Sequence, residues 1–250
     1  MDPITDFFDK MADKRNKVIS DNIIVEYEQE KRSEGVLDLL DPKAGELILD
    51  LGCGNARDIL PLLEKGCKVI GVDLSPRMIM EARRELSKCP FTGYELEVGD
   101  ATSLRYPDSY FDKVMASEVI EHIPNWKRAL AEIQRVLKPH GCLVLSTPNR
   151  KSWYGFDRYI LLEKILRRHW DHPYDHWKTY RDVEAVLSNS GFSVTDKRGI
   201  CYMPGFIIPY FVLSRRAKKY LILLVRKIEE RLSRLFPTCG YLLCIRVIKN

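Results

Sequence analysis

From Glu46 onward the chain alternates short apolar runs with stretches in which apolar residues recur every three or four positions. ELILDLG, KVIGVD, YELEVGD, FDKVMASEV and GCLVLSTPN read as strands, and ARDILPLLEKG, SPRMIMEARREL and WKRALAEIQRVLKP as helices between them. Strands separated by helical crossovers predict an α/β fold, a parallel sheet covered by helices on both faces. VIGVD and CLVLS are apolar almost throughout, as strands buried on both faces should be. Ser75 before Pro76 predicts a helix start, and Pro139 with Gly141 ends the helix that begins near Asn125.

The first 40 residues pattern as helix and are expected to cover the mouth of the sheet. An aromatic and histidine-rich insert, RKSWYGFDRYILLEKILRRHWDHPYDHWKT, interrupts the alternation at 150–179. Beyond it YRDVEAVLSNSGF reads as a helix, SVTDKRGI as a strand, and 201–238 as a second insert with a long helix. GYLLCIRVIKN then reads as a last strand, predicted to lie antiparallel at one side because no regular crossover helix leads into it. The expected organisation is one domain: a helical cap (1–45), a ligand-binding core (46–149), an aromatic lid insert (150–180) and a C-terminal part (181–250) with a basic amphipathic insert (206–236).

With 250 residues, 45% of them hydrophobic, the chain can bury one core of ordinary size. No repeat or low-complexity tract is present. The start, MDPITDFFDKMADKRNK, is acidic at once and has no apolar block, so no signal peptide is expected and the protein is placed in the cytoplasm. Seven cysteines without a C-x-x-C pair read as free thiols in a reducing compartment. The uncharged run Gly199–Ser214 is too short to span a membrane and contains Pro204 and Pro209. Of 40 basic and 35 acidic residues, eight and two fall in 215–234, which leaves 32 against 33 elsewhere. The positive charge is thus local, and a general nucleic-acid-binding surface is not expected.

LILDLGCGNARDI carries Gly52-x-Gly54 at the end of a strand, a turn that brings backbone close to a ligand. A dinucleotide fingerprint would want a third glycine where Arg57 stands, although Asp73 ends the second strand where a ribose-binding acid belongs. The ordered set LDLGCGNARDI, GVDLSP, EVGDATSLRYPDSYFDKV, ASEVIEHIPN and LKPHGCLVLSTPN resembles the class I S-adenosylmethionine-dependent methyltransferases, most closely the branch of ubiquinone and menaquinone biosynthesis. The resemblance is strong over Glu46–Asn149 and looser to Phe192. It implies a Rossmann-like, seven-stranded, mostly parallel sheet with the last strand antiparallel.

It also implies S-adenosyl-L-methionine as cofactor. That molecule has no phosphate, so Arg57 is tolerable. By the same resemblance Asp50, Gly52, Cys53 and Gly54 form the turn against its methionine part, with Asp50 binding the amino end directly or through water. Asp73 and Leu74 take the ribose, Asp100 and Ala101 face the adenine, and Glu118 lies near the sulfonium. The plain alternatives are a structural turn at 50–54 and an Asp73 that only caps the helix beginning after Ser75. Met78 and Met80, at helical spacing with Ile79, are expected in the core.

His122 in SEVIEHIP follows the fourth strand and resembles the Glu-His pair of the quinone branch; it is the first candidate general base, against a helix-capping role. His176 is the second, for proton handling or substrate orientation. HWDHPYDHW offers His169, His172 and His176 at metal-like spacings, but Pro173 breaks the helix and no metal is expected. Trp153, Tyr154, Trp170, Tyr174 and Trp177 could wall an aromatic pocket or be ordinary lid core. SEVIEHIP stands where base-directed amino-methyltransferases carry an Asp/Asn-Pro-Pro-aromatic motif, so no nucleic-acid substrate is expected. The favoured reading is methyl transfer to a small, hydrophobic acceptor, of quinone, isoprenoid or lipid-linked type. In it 206–236 touches the inner face of an anionic membrane. A water-soluble or sugar acceptor, an NAD-linked oxidoreductase and an inactive scaffold remain as rivals, and 206–236 packed on the protein or a second copy is the plain reading of that segment.

Overall fold

The computed structural model describes residues 2–168, 172–202 and 213–250; His169, Trp170 and positions 206–212, singled out above, lie outside them. The elements run α1 (Pro3–Asp21), α2 (Ile23–Leu40), β1 (Leu47–Leu51), α3 (Ile59–Glu64), β2 (Lys68–Asp73), α4 (Pro76–Leu86), β3 (Tyr94–Val98), β4 (Phe111–Ser117), α5 (Trp126–Val136), β5 (Leu137–Pro148), α6 (Trp153–Phe156), α7 (Tyr180–Asn189), β6 (Phe192–Ile200), α8 (Arg215–Leu235) and β7 (Leu242–Lys249). After α6 the chain widens into π-helical turns over Asp157–Ile165.

One seven-stranded sheet has the order β3-β2-β1-β4-β5-β7-β6. The first five strands pair in parallel, and β7 is antiparallel to both β5 and β6. The direction of β7 matches the sequence reading, but its place does not: it lies between two strands, not at one side. Its run Leu242–Ile245 is buried throughout, which an interior strand requires and an edge strand does not.

Strand alternation sorts the side chains into two cores. Ile48, Val69, Met115, Val144 and Cys244 face α2, α3 and α4, whose Leu39, Leu40, Ile59, Leu62, Ile79 and Ala82 complete one layer. Leu49, Val72, Val114, Leu145 and Val247 face Leu130 and Ile133 of α5 and Val183 and Leu187 of α7. The same parity puts Asp50, Gly71 and Ser117 on the α2/α3 side. A Cβ on Gly71 would come within 2.8 Å of Ile59 Cδ1 and Leu96 Cδ2, so α3 packs here only on glycine. Ser75 caps α4 as predicted, its hydroxyl accepting from Met78 N–H at 3.0 Å. Met78 is buried, but Met80 is 68% exposed, against expectation: two residues on from Met78, it has turned away from the sheet.

The sheet order reverses between β1 and β4, so the crevice beyond their C-terminal ends is the fold's binding position. α1 and α2 lie over it, and α1 is fastened there by Asp9, whose carboxylate accepts from Ser75 Oγ at 2.5 Å. Among the described residues no helix is long and apolar enough to cross a membrane.

Candidate functional site

A cavity of about 440 Å³ opens at this crevice. Gly52 from the β1 turn, Asp73 and Leu74 from the end of β2, Asp100 and Ala101 after β3, and Glu118 and His122 after β4 all line it. These seven of the sequence-predicted residues therefore share one space, whereas Asp50 and Cys53 line a smaller one beside it. Most of the remaining wall is apolar, with Val119, Ile123 and Pro124 from the β4 side and Ile4 and Phe8 from α1. Four carboxylates, those of Asp2, Asp73, Asp100 and Glu118, face the cavity, and no Lys or Arg does among the described residues.

The turn after β1 is left-handed at Gly52 (φ 71°), Gly54 (φ 52°) and Ala56 (φ 64°). Gly52 and Cys53 N–H groups both donate to Val72 O, at 2.7 and 3.1 Å, which holds the turn against β2. A Cβ on Gly52 would sit 2.4 Å from Val119 Cγ2, so the backbone forms part of the cavity wall that a side chain would fill. Cys53 is buried beneath the turn. The helix does not follow at once, as the sequence pattern had implied; it starts at Ile59 and has six residues. Three left-handed residues in five cannot continue into helix, so the turn offers no helix N-terminus to a pyrophosphate.

Asp73 is preset by its own backbone surroundings. One carboxylate oxygen accepts from Gly54 N–H and the other from Ser75 N–H, each at 2.9 Å, and each oxygen keeps further lone-pair capacity toward the cavity. Asp100 forms a turn of its own, accepting from Thr102 N–H at 2.7 Å and Thr102 Oγ1 at 2.8 Å. Glu118 is held at φ 53° by its N–H, which donates to Ser146 O at 3.0 Å. A non-glycine residue kept left-handed at a strand end that lines a cavity is the kind of local strain found at functional sites.

Beside Gly52 and Ser117 a second, polar space of about 20 Å³, room for roughly one water, adjoins the main cavity. Asp50 is buried here, and the loss of water, followed by repulsion from Asp58, pushes its carboxyl well above the usual range. Opposite stands Arg32 from α2, buried, with Nη1 donating to Asp58 Oδ2 at 2.6 Å and to Ser117 Oγ. Arg32 Nε lies 3.3 Å from Glu118 Oε2 but makes no hydrogen bond, leaving an orphaned buried donor at this end of the site. Arg32, Gln29 and Asp58 escaped the sequence reading. The signal was present: Ile24, Glu28, Arg32 and Val36 are spaced by four, so two charges lie in the buried stripe of α2.

At the other end His122 Nδ1 lies 3.2 Å from Tyr174 O, which places the proton on Nδ1 and the lone pair on Nε2. His122 stacks on His172 with ring centroids 4.6 Å apart, and Phe8 meets both rings. His172 Nδ1 accepts from Tyr174 N–H at 3.2 Å, so Nε2 carries hydrogen; that nitrogen is buried and has no partner. Burial pulls the His172 pKa down, only partly opposed by Asp175. Glu121 is fully buried, its Oε2 accepting from Thr147 Oγ1 at 3.1 Å. Burial, then Glu118 and Asp175, raises it well above the usual range.

His176 is not brought to this cluster. Its N–H donates to Glu121 O at 3.0 Å, while its ring is exposed and stacks on Tyr174. Among the described residues the insert's aromatics do not wall the cavity either. Tyr154 and Trp177 are buried against Ile24 and Tyr27 of α2 and Val225 of α8, Trp153 is exposed, and the aromatic at the cavity is Phe8. Among the described residues no group of three His, Cys, Asp or Glu is arranged to hold a metal ion, and all seven cysteines are free thiols.

Residues 49–145 match the family described as methyltransferase domain. A ubiquinone biosynthesis O-methyltransferase of Rhodopseudomonas palustris is 31% identical over 170 residues, 66% of this chain and 65% of that protein. A demethylmenaquinone methyltransferase of Bacillus cereus is 28% identical over 169 residues, 65% of this chain and 70% of its own length. The chain spans only 34 to 66% of the length of the first four curated relatives it matches. Among solved structures, a Thermotoga maritima S-adenosylmethionine-dependent methyltransferase, described as a possible histamine N-methyltransferase, superposes with a TM-score of 0.67 at 17% identity. It covers 99% of this chain and 100% of that one.

Proposed function

We propose that the chain, whose residues 49–145 match the methyltransferase-domain family, is a class I S-adenosylmethionine-dependent methyltransferase that transfers a methyl group from S-adenosylmethionine to a small, hydrophobic acceptor. The observation that carries the cofactor half is the charge of the cavity. Four carboxylates line the cavity and only Glu118 has a cation beside it, Arg32 from the adjoining space, an excess of negative charge that favours a cationic sulfonium and repels a pyrophosphate. With α3 beginning five residues after Gly54, the dinucleotide alternative loses its phosphate site as well.

The residues fit the cofactor from end to end. The Arg32 guanidinium with its orphaned Nε and the Asp50 carboxyl, one water away, suit a zwitterionic amino-acid end. The missing Cβ of Gly52 leaves room for the chain that follows. Asp73, fixed by two backbone donors, suits a pair of ribose hydroxyls, with Leu74 beside it, and Asp100 and Ala101 suit the base. When bound, S-adenosylmethionine supplies an electrophilic methyl group on a sulfonium.

The protein's own part is positioning, exclusion of water and the handling of one proton. Phe8, Val119, Ile123 and Pro124 make the apolar wall that supports a hydrophobic acceptor. His122 presents its Nε2 lone pair as general base, with the tautomer held by Tyr174 O. The role expected of His176 passes to His172, whose buried Nε2–H is the available donor beside His122. Quinone-type relatives near 30% identity support an apolar acceptor, and the basic, apolar segment 206–236 would meet the membrane surface that holds it.

The test is incubation with methyl-labelled S-adenosylmethionine and a cell extract, followed by partition of the label. Label in the organic fraction supports the hydrophobic acceptor. Label in the aqueous fraction keeps the transferase and replaces the acceptor by a water-soluble one. Calorimetric binding of NADH without binding of S-adenosylhomocysteine would sink the whole reading.

A further inference from the structure

Fifteen large hydrophobic residues are exposed on the described surface, and eleven of them lie in two segments, Trp153–Leu166 and Tyr220–Phe236. These segments are neighbours. Tyr159 and Leu162 of the π-helical turns and Leu221, Ile222 and Val225 of α8 cover one small core around Tyr27, Tyr154 and Trp177.

The inner face of α8 is already spoken for. Glu229, one of its two acids and the buried one, accepts from Tyr27 Oη and from Cys201 N–H. Arg226 pairs with Glu30 and sits over the Tyr27 ring. The outward face is the unusual one. Tyr220, Leu223, Leu224, Ile228 and Leu235 are 43 to 71% exposed, and at 100° per residue they interleave with Arg216, Lys227, Arg231 and Arg234. A helix facing only water would be polar there. The adjoining stretch 150–168 repeats the composition, with six basic and two acidic residues beside exposed Trp153, Phe156, Ile165 and Leu166.

This charge decides the occupant. A second copy would set two strongly basic faces against each other, with Glu230 the one exposed acid of α8 to relieve them. What complements interleaved cations and apolar side chains over two elements is a surface that is both anionic and apolar. We infer that the π-helical lid and α8 together form a docking face for an anionic lipid bilayer, with the lid as much a part of it as the basic helix. The proposal rests on the hydrophobic-acceptor reading for its purpose but not for its geometry. Docking has a route to the site: Arg158 in the lid donates to Asp175 Oδ2 at 2.6 Å, and Asp175 Oδ1 lies 3.8 Å from His122 Nδ1.

Flotation of the full chain with vesicles of phosphatidylcholine, and of equal parts phosphatidylcholine and phosphatidylglycerol, tests it. Binding to the anionic vesicles alone, weakened by salt, is expected. Arg216→Gln, Lys227→Gln and Arg231→Gln together should weaken partitioning roughly 100-fold, about five-fold per charge. Trp153→Ser with Leu166→Ser should weaken it on the same vesicles with all charges in place. Indifference to both vesicle types overturns the proposal, as does equal binding to both. So does a concentration-dependent dimer that the same substitutions abolish, since a second copy would then cover the face. A wild-type response to the lid substitutions would remove the lid from the surface. S-adenosylhomocysteine calorimetry on every variant separates the two ideas: docking lost with cofactor affinity intact refutes only the membrane face, and docking intact without any methyl transfer refutes only the enzyme.

Discussion

Gly52→Ala puts one methyl group where the structure has none to spare. Two effects add. The backbone stays left-handed at φ 71°, which costs an L-residue about 1 kcal/mol relative to glycine. The new Cβ also stands 2.4 Å from Val119 Cγ2, far inside the ~3.5–4 Å of carbon contact, and overpacking of this kind costs about 1–3 kcal/mol. The sum, about 2–4 kcal/mol, should lower Tm by roughly 4–16 °C for a domain of this size. Because Val119 lines the cavity, its displacement also narrows the channel between the Asp50 end and the Asp73 end. Calorimetry should therefore show S-adenosylhomocysteine affinity falling at least 10-fold. The control is Val119→Ala in the same chain. It removes the clash but not the backbone strain, so the double variant should recover the overpacking part and keep about 1 kcal/mol of loss, a coupling of about 1–3 kcal/mol between the two sites. Additive losses would refute the steric argument, and wild-type affinity in Gly52→Ala would refute the placement of the cofactor on this turn.

Three further predictions concern single groups. Asp73→Asn replaces one acceptor oxygen by NH₂ facing a backbone N–H, whether of Gly54 or Ser75, and removes the charge; affinity for S-adenosylhomocysteine should fall about 10- to 100-fold, and an unchanged value would put the ribose elsewhere. Glu121 has a folded-state pKa raised by burial, Glu118 and Asp175, so the folded protein holds this proton more tightly than the unfolded chain and stability is lost as pH rises from the unfolded value, about 4.3, through the folded one. Glu121→Gln should accordingly be the more stable chain at pH about 8, by about 1–3 kcal/mol, with the two melting curves converging near pH 4; a constant difference across pH would mean that the carboxyl does not titrate in this window. His122→Gln should cut turnover by about 100-fold or more while leaving cofactor affinity intact, and an unaltered rate and pH profile would show that the acceptor needs no base from this residue.

How much of this could be read in advance divides along a physical line. The strands, most helices and the residues at the strand ends were legible because they depend on local periodicity and on turns whose chemistry is carried by Gly52, Gly54 and Asp73 themselves. The onset of α3 was not, because the left-handed Ala56 belongs to a turn that is pinned to β2 through the Gly52 and Cys53 N–H groups, and its conformation does not follow from its own propensity. Arg32 was hidden in EYEQEKRSEG, which reads as a solvated face until Asp58 and Glu118, brought by β1 and β4, surround it. The insert's aromatics read equally as pocket or core. Only the arrival of α2 and α8, with Tyr27 and Val225 packed around Tyr154 and Trp177, decides for core.

The same division explains why the two ends of the cavity differ in what they demand of the chain. The cofactor end is built from strand termini that the sheet holds in register, and its carboxylates are oriented by backbone N–H groups, at Gly54 and Ser75 for Asp73 and at Thr102 for Asp100. Such a site survives wide change in side chains, since only the turn residues and the acids are required. The acceptor end is lined by α1 and the turn after β4 and backed at His122 by the segment 172–176, three pieces with no shared ladder, and behind it buried polar atoms stay unmatched at Glu121 Oε1, His172 Nε2 and Asp175 Oδ1. Each unmatched group is a standing loss of about 1–3 kcal/mol that packing elsewhere must offset, and all three adjoin His122. An acceptor bearing an oxygen to take the His172 N–H would relieve part of that loss on binding, whereas a pure hydrocarbon would not. Under the proposed methyl transfer, this end would therefore favour a ring or chain that is apolar over most of its surface but carries an oxygen at the reacting position.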